Sequence, residues 1–164
     1  MTRCTVSGKT AVNADDAPVP NSEKRPDGQH VDHWVLCAEE RAKGFVRPVR
    51  NSYVHVGILG PEYPLRDLTE EERTRHTDTE WVKYETYPKG AHGSALGRFW
   101  SQAELDKVGK GCGVKTSMPN SIAETYARNP GYYGCTFCCG CGAYLPVGRR
   151  GEFVWADTNE RVGT

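Results

Sequence analysis

Large apolar residues are sparse before residue 33 and then come in short bursts. "HWVLCAEE" and "GFVRPVRNSYVHVG" set brief apolar runs against charged flanks, which predicts two strands joined by a turn near Lys43-Gly44. Pro48 cannot donate to a ladder, so the second strand is expected at an edge. Residues 57–111 have a different texture. Thr69-x-x-Glu72 has the spacing of a capping box, "WVKYETY" alternates like a strand, and Ser101-x-x-Glu104 starts a second helical stretch that Gly109 stops. This segment reads as an insertion of helix, strand and short helix. After Cys112, "TSMPNSIAETYARNP" predicts a helix of about ten residues, with Ser121-x-x-Glu124 or the earlier Ser117 and Pro119 as its start and Pro130 as its end. "AYLPV" and "GEFVWAD" complete the pattern as two strands around a Gly-Arg-Arg-Gly turn. Residues 1–30, with "DDAPVPNSEKRPDGQ", read as an extended arm on a single α+β domain, residues 31–164, that carries the insertion 57–111.

Composition sharpens this picture at one point. Hydrophobic residues make up 37% and charged residues 26% of the 164-residue chain, a modest core that calls for a further source of stability. No apolar run approaches the roughly 20 residues of a membrane span, and no leader-like segment opens the chain, so the expected compartment is the cytoplasm. A reducing compartment keeps all seven cysteines as thiols, and four of them crowd into residues 135–141. That clustering points to a metal. The formal net charge is zero, so contact with nucleic acid would have to come from a local patch.

Cys138-Cys-Gly-Cys141-Gly142 has the make-up of a metal knuckle, in which glycines inside and after the turn let backbone amides face the sulfurs. Cys135-Thr-Phe-Cys138 has no glycine at either place. A structural site needs four ligands, and Cys112-Gly113 supplies a second Cys-Gly half-knuckle. Its partner three residues earlier would be Gly109, which has no ligand atom. Taking residues 57–111 as an insertion brings His55 next to Cys112, so the expected zinc ligands are His55, Cys112, Cys138 and Cys141, with Cys37 or His92 as substitutes for His55. Otherwise Cys37 reads as a small buried hydrophobe and Cys4 as unpaired, Cys135 and Cys139 as a redox pair or extra ligands at most, and His30, His33 and His76 as surface or capping residues.

The pieces "VLCAEERAKGFVRPVRNSYVHV", "CGVKTSMPNSIAETYARNPGYYG" and "TFCCGCGAYLPV" with "EFVW" resemble small, mostly uncharacterised proteins of bacteriophages and mobile elements. In those proteins a His/Cys knuckle and a C-x-x-C knuckle flank the helix. The resemblance covers about half the chain, residues 33–56 and 112–164. It implies a zinc-ribbon-like sheet with one main helix, metal on His55, Cys112, Cys138 and Cys141, and no particular activity.

Catalysis finds little support in the motifs. Three thiolates make a metal a poor Lewis acid, and the chain has no H-x-E before a P-C-x-x-C, no H-E-x-x-H, no G-x-S-x-G and no P-loop. The expectation is a non-enzymatic, structural zinc protein without a small-molecule substrate. A metal-dependent nuclease using Asp32, His33, His76 and His92 is the remaining enzymatic alternative. Binding chemistry is richer, because Arg41, Lys43, Arg47 and Arg50 alternate with Phe45 and Tyr53, a mixture suited to phosphates and stacked bases. The competing view pairs these cations with Glu39 and Glu40. Arg128, Arg149 and Arg150 would extend the patch, and among the aromatics of the insertion Trp81 and Trp100 are candidate anchors. Two expectations follow: a module that binds nucleic acid or a nucleoprotein complex, or an anti-CRISPR-like effector that docks on a host protein or defence complex.

Overall fold

The computed structural model describes residues 3–8, 10–11, 23–93 and 96–164. In chain order its elements are β1 (Arg3–Thr5), β2 (Thr10–Ala11), β3 (Trp34–Leu36), α1 (Ala38–Arg41), β4 (Ser52–His55), β5 (Leu65–Asp67), α2 (Glu70–Arg75), β6 (Trp81–Glu85), β7 (Arg98–Ser101), α3 (Gln102–Lys107), β8 (Lys115–Ser117), α4 (Asn120–Arg128), β9 (Cys135–Cys138), β10 (Ala143–Pro146) and β11 (Phe153–Trp155). The class is α+β, with small antiparallel sheets and α4 as the main helix. The chain divides into two compact units, residues 1–56 with 112–164, and residues 57–111.

In the first unit the sheets are β2-β1-β3, β11-β4-β8 and the β9–β10 hairpin. β4 is central in its sheet, with Tyr53 facing Trp155 on one side and Thr116 on the other. Its inward positions and those of α4 share one core, in which Tyr53, Ile122, Ala123, Tyr126, Phe153, Trp155 and Val162 pack together. Burial at 122, 123, 126 and 127 gives α4 a single apolar stripe. Thr125 in that stripe accepts a hydrogen bond from Leu36 N at 3.2 Å and fixes β3 to the helix.

α4 starts just after Pro119, within the earlier of the two expected starts, but neither serine caps it. Pro119 is the N-cap residue, the Ile122 and Ala123 amides donate to its carbonyl at 3.1 Å, and no side chain caps the helix. Ser121 lies inside the first turn and Ser117 belongs to β8. "FVRPVR" is not a strand. The Val46 and Arg47 amides both donate to the Ala127 carbonyl, at 2.9 and 3.0 Å, so the segment satisfies the last turn of α4 instead of joining a sheet. The acidic end of "HWVLCAEE" turns into α1.

The amino-terminal arm is partly built into the fold, because β1 pairs with β3 in the register Cys4↔Val35. That pairing puts Cys4 beside Cys37, their Cα atoms 5.1 Å apart, and the two form a disulfide. The expectations of an unpaired Cys4 and of seven free thiols are therefore corrected. Further along, His33 Nε2 lies 2.7 Å from the Tyr144 hydroxyl, which also accepts from the His30 amide.

The second unit holds the sheet β5-β6-β7 and two helices that start in complete capping boxes, Thr69 with Glu72 and Ser101 with Glu104. β5 and β7, which the sequence pattern left unread, flank β6. Trp100 is 1% exposed, and its Nε1 donates to Glu85 Oε2 at 2.8 Å. The other oxygen of this buried carboxylate accepts from the Glu62 and Tyr63 amides at 2.6 and 2.9 Å. Phe99 lies among Trp81, Tyr84 and His76.

Candidate metal centre

The centre lies where β4 ends and the β9–β10 hairpin turns. Past His55 the ladder between β4 and β8 continues one step, with Gly113 N donating to His55 O at 2.9 Å, so Cys112 stands beside His55. Across from them the hairpin turns through residues 139–142, and Gly142 N closes it on Cys138 O at 2.8 Å. Gly113 and Gly142, each directly after a cysteine, have φ of 72° and 64°, a left-handed conformation that a side chain would disfavour. A Cβ at Gly140 would stand 2.8 Å from the Cys112 sulfur, so that position must be bare for the two half-sites to meet.

The imidazole of His55 and the sulfurs of Cys112, Cys138 and Cys141 present ligand atoms that all lie within 4.8 Å of one another, a group that could hold a metal ion. Cys112 Sγ is 3.4 Å from Cys138 Sγ, and Cys141 Sγ is 3.4 Å from His55 Nδ1. His55 and Cys138 are buried, whereas Cys112 and Cys141 are at the surface. Burial pushes the Cys138 thiol up to about 12, and loss of solvent raises Cys141. Cys112 is lowered to about 7, chiefly by the Val114 backbone amide beside it. A divalent cation among these thiols would favour their ionised forms over both effects.

A residue that sequence reasoning missed completes the centre. His55 Nε2 is 3.1 Å from Glu152 Oε1, and both side chains are buried. The Cys112 amide donates to Nδ1 at 3.2 Å, so Nδ1 is an acceptor and the ring proton sits on Nε2, donated to Glu152. Nδ1, the nitrogen facing the sulfurs, is thus unprotonated, and a metal bound there would displace the Cys112 amide from its lone pair, giving a carboxylate, histidine and metal in series. The signal for Glu152 is register: Phe153 is opposite His55 in the β11–β4 pair, and Val56 N donates to Glu152 O.

Cys135 and Cys139 stand outside the group. Cys139 packs on β8, its amide donating to Thr116 Oγ1 and its sulfur accepting from that hydroxyl. Cys37, a substitute ligand, is in the disulfide, and the side chain of His92 lies outside the described residues. In the first unit Asp32 accepts from Ser7 and His33 meets Tyr144; in the second, His76 caps α2 against Phe99. Among the described residues, the His55 group is the one cluster able to hold a metal.

The basic and aromatic patch is largely engaged elsewhere. Tyr53 is buried and donates to Phe137 O; Arg41 bonds Leu36 O and Glu124; Lys43 and Arg128 pair with Glu40. Arg50 sits between Asp157 and Glu160 at 3.3 and 2.6 Å. Phe45 remains exposed, beside Val46 and Val49. Arg47, bonded to Thr164 O at 3.2 Å, lines an open cleft of about 710 Å³ with Arg50, Arg149 and Arg161. Of the two anchor candidates in the second unit, Trp81 is half-buried and Trp100 is enclosed in its core, which removes Trp100 from any docking surface. No helix among the described residues is long and apolar enough to cross a membrane. Comparison with known proteins finds no matching family model, curated protein or solved structure.

Proposed function

We propose that the chain is a zinc-stabilised, non-enzymatic binding module of phage or mobile-element type that engages nucleic acid or a nucleoprotein complex. The observation carrying this reading is the closed group of one imidazole and three thiols, a donor set that suits zinc and leaves no ligand position for water. Zn–S bonds of about 2.3 Å space sulfurs roughly 3.8 Å apart in a tetrahedron, so the 3.4 Å between Cys112 and Cys138 asks only for a small expansion. The binding face in this reading is the cleft lined by Arg47, Arg149 and Arg161, where Arg50 is held by Glu160. Zinc analysis of the purified protein should give about one ion per chain. A gel-shift series across salt tests the binding half: affinity must fall as salt rises, and replacing Arg47 and Arg149 by Ala should flatten the slope by about two at most.

The exposed Phe45, Val46 and Val49 favour a second reading, an effector that docks on a host protein or defence complex. Binding without salt dependence would select it. The cytoplasm is the compartment proposed, because the ligand thiols must be reduced when metal enters. The Cys4–Cys37 bond is the observation against it, and the oxidation state of that pair in cells tests the point.

A further inference from the structure

The first unit has a partly open cavity of about 40 Å³ between α4, β4 and β9. Met118, Ile122 and Phe137 give it apolar walls; Tyr53, Tyr126 and Thr136 bring hydroxyls to it. The buried hydroxyls that line it differ in how they are satisfied. Tyr53 donates to Phe137 O, Thr136 Oγ1 donates to the Tyr53 oxygen at 3.2 Å, Tyr133 donates to Trp34 O at 2.6 Å, and Tyr144 meets His33. Tyr126 is 3% exposed, and its hydroxyl has no hydrogen-bond partner. Thr136 is near enough to lower the Tyr126 phenol; its proton goes to Tyr53, and its oxygen keeps lone pairs that can accept a further hydrogen bond. Tyr126 lines the cavity together with Tyr53, Tyr133, Cys135 and Thr136. Burial raises the phenol far above its ordinary range, leaving it a neutral donor at physiological pH.

Size decides what such a site can take. A bound water needs about 10–15 Å³ and two to four polar partners, whereas drug-sized ligands occupy pockets of about 300 Å³ or more. We propose that the cavity is a buried hydration site for about two or three waters, one of which accepts the Tyr126 proton and donates onward to Thr136 or Tyr53. The waters join the main helix to two sheets that share no strand. Ser117, exposed at the rim, gives solvent a way in. This inference is independent of which metal the ligand group holds and of what the module binds.

High-resolution crystal structures and thermal melts of the native protein and Tyr126→Phe test it. The expected result is a solvent peak within hydrogen-bond distance of Tyr126 Oη, its loss in the variant, and a melting midpoint lowered by a few degrees. A dry cavity predicts the opposite sign, because the substitution then deletes a buried donor that bonds nothing. Absence of the native peak, or a variant melting at or above the native protein, overturns the proposal. Should Tyr126→Phe fail to fold, the native peak and water-to-protein NOEs at Ile122 and Thr136 decide.

Discussion

Glu152→Ala tests the centre at its least visible contact. The His55 and Glu152 side chains are 6% and 11% exposed and 3.1 Å apart, so no solvent stands ready to replace the lost carboxylate. Without it the Nε2 proton has no acceptor, the imidazole is free to turn, and the tautomer that directs Nδ1 toward the sulfurs is no longer selected. Outer partners of this kind contribute about 10–100-fold to metal affinity, roughly 1.4–2.7 kcal/mol. Burial places Glu152→Ala toward the upper end, near 100-fold, whereas Glu152→Gln keeps an acceptor and should stay within about tenfold. Competition against a chromophoric chelator at fixed pH measures both, and cobalt substitution reports whether the ligand field has changed. Melts at saturating metal separate affinity from general destabilisation. Zinc affinity of Glu152→Ala within twofold of native would refute the reasoning, and His55 would then be positioned by the backbone alone.

Cys138→Ser should lose the metal and most of the order of the first unit, while Cys135→Ser and Cys139→Ser keep both; full occupancy in Cys138→Ser would defeat the ligand assignment. In the second unit, Glu85→Ala strands the Trp100 Nε1 and two backbone donors, at a cost of about 3 kcal/mol or more, read as faster hydrogen exchange across residues 57–111. Exchange at the native rate would show that carboxylate to be dispensable. The side-chain bond from Arg66 holds Glu72 down at about 2 against an ordinary 4.5. Because the folded value is depressed, the contribution of Glu72 to the α2 cap is fully present above the unfolded value and is lost as pH falls from about 4.5 through about 2. An NMR titration of Glu72 with a midpoint near 4.5 would contradict this. Reduction of the Cys4–Cys37 bond should lower the stability of the first unit by about 2–4 kcal/mol in denaturant melts, and an unchanged midpoint would show the closed loop to be immaterial.

What could be read from the sequence was local chemistry. The boxes Thr69/Glu72 and Ser101/Glu104 are legible because both partners lie in one turn of chain, and the glycines after Cys112 and Cys141 are legible because a knuckle needs them bare. The same spacing misleads at Ser121/Glu124, where Pro119 caps the helix two residues earlier and Glu124 is engaged by Arg41. "FVRPVR" has a strand's alternation, yet the carbonyl that takes its amides belongs to Ala127. Glu152 depends on the β11–β4 register and the disulfide on β1–β3 pairing, neither of which leaves a mark in its own neighbourhood. The arginines lost their apparent freedom in the same way, to Glu124, Asp157 and Glu160 from later in the chain.

The second unit lies in sequence between His55 and every cysteine of the metal group, and this sets an order on biosynthesis. A ribosome releases His55 first, then all of residues 57–111, and only afterwards Cys112, Cys138 and Cys141. No metal can be captured by the full ligand set while the second unit is still being made, and closing the span from His55 to Cys112 carries a loop entropy that the local hairpin of Cys138 and Cys141 does not. The hairpin thiols are therefore the first landing place for an ion, and Cys112 and His55 close over it. Metal capture by the full set therefore follows completion of the second unit in the chain, whose capping boxes and buried Glu85 bonds use no residue of the metal group.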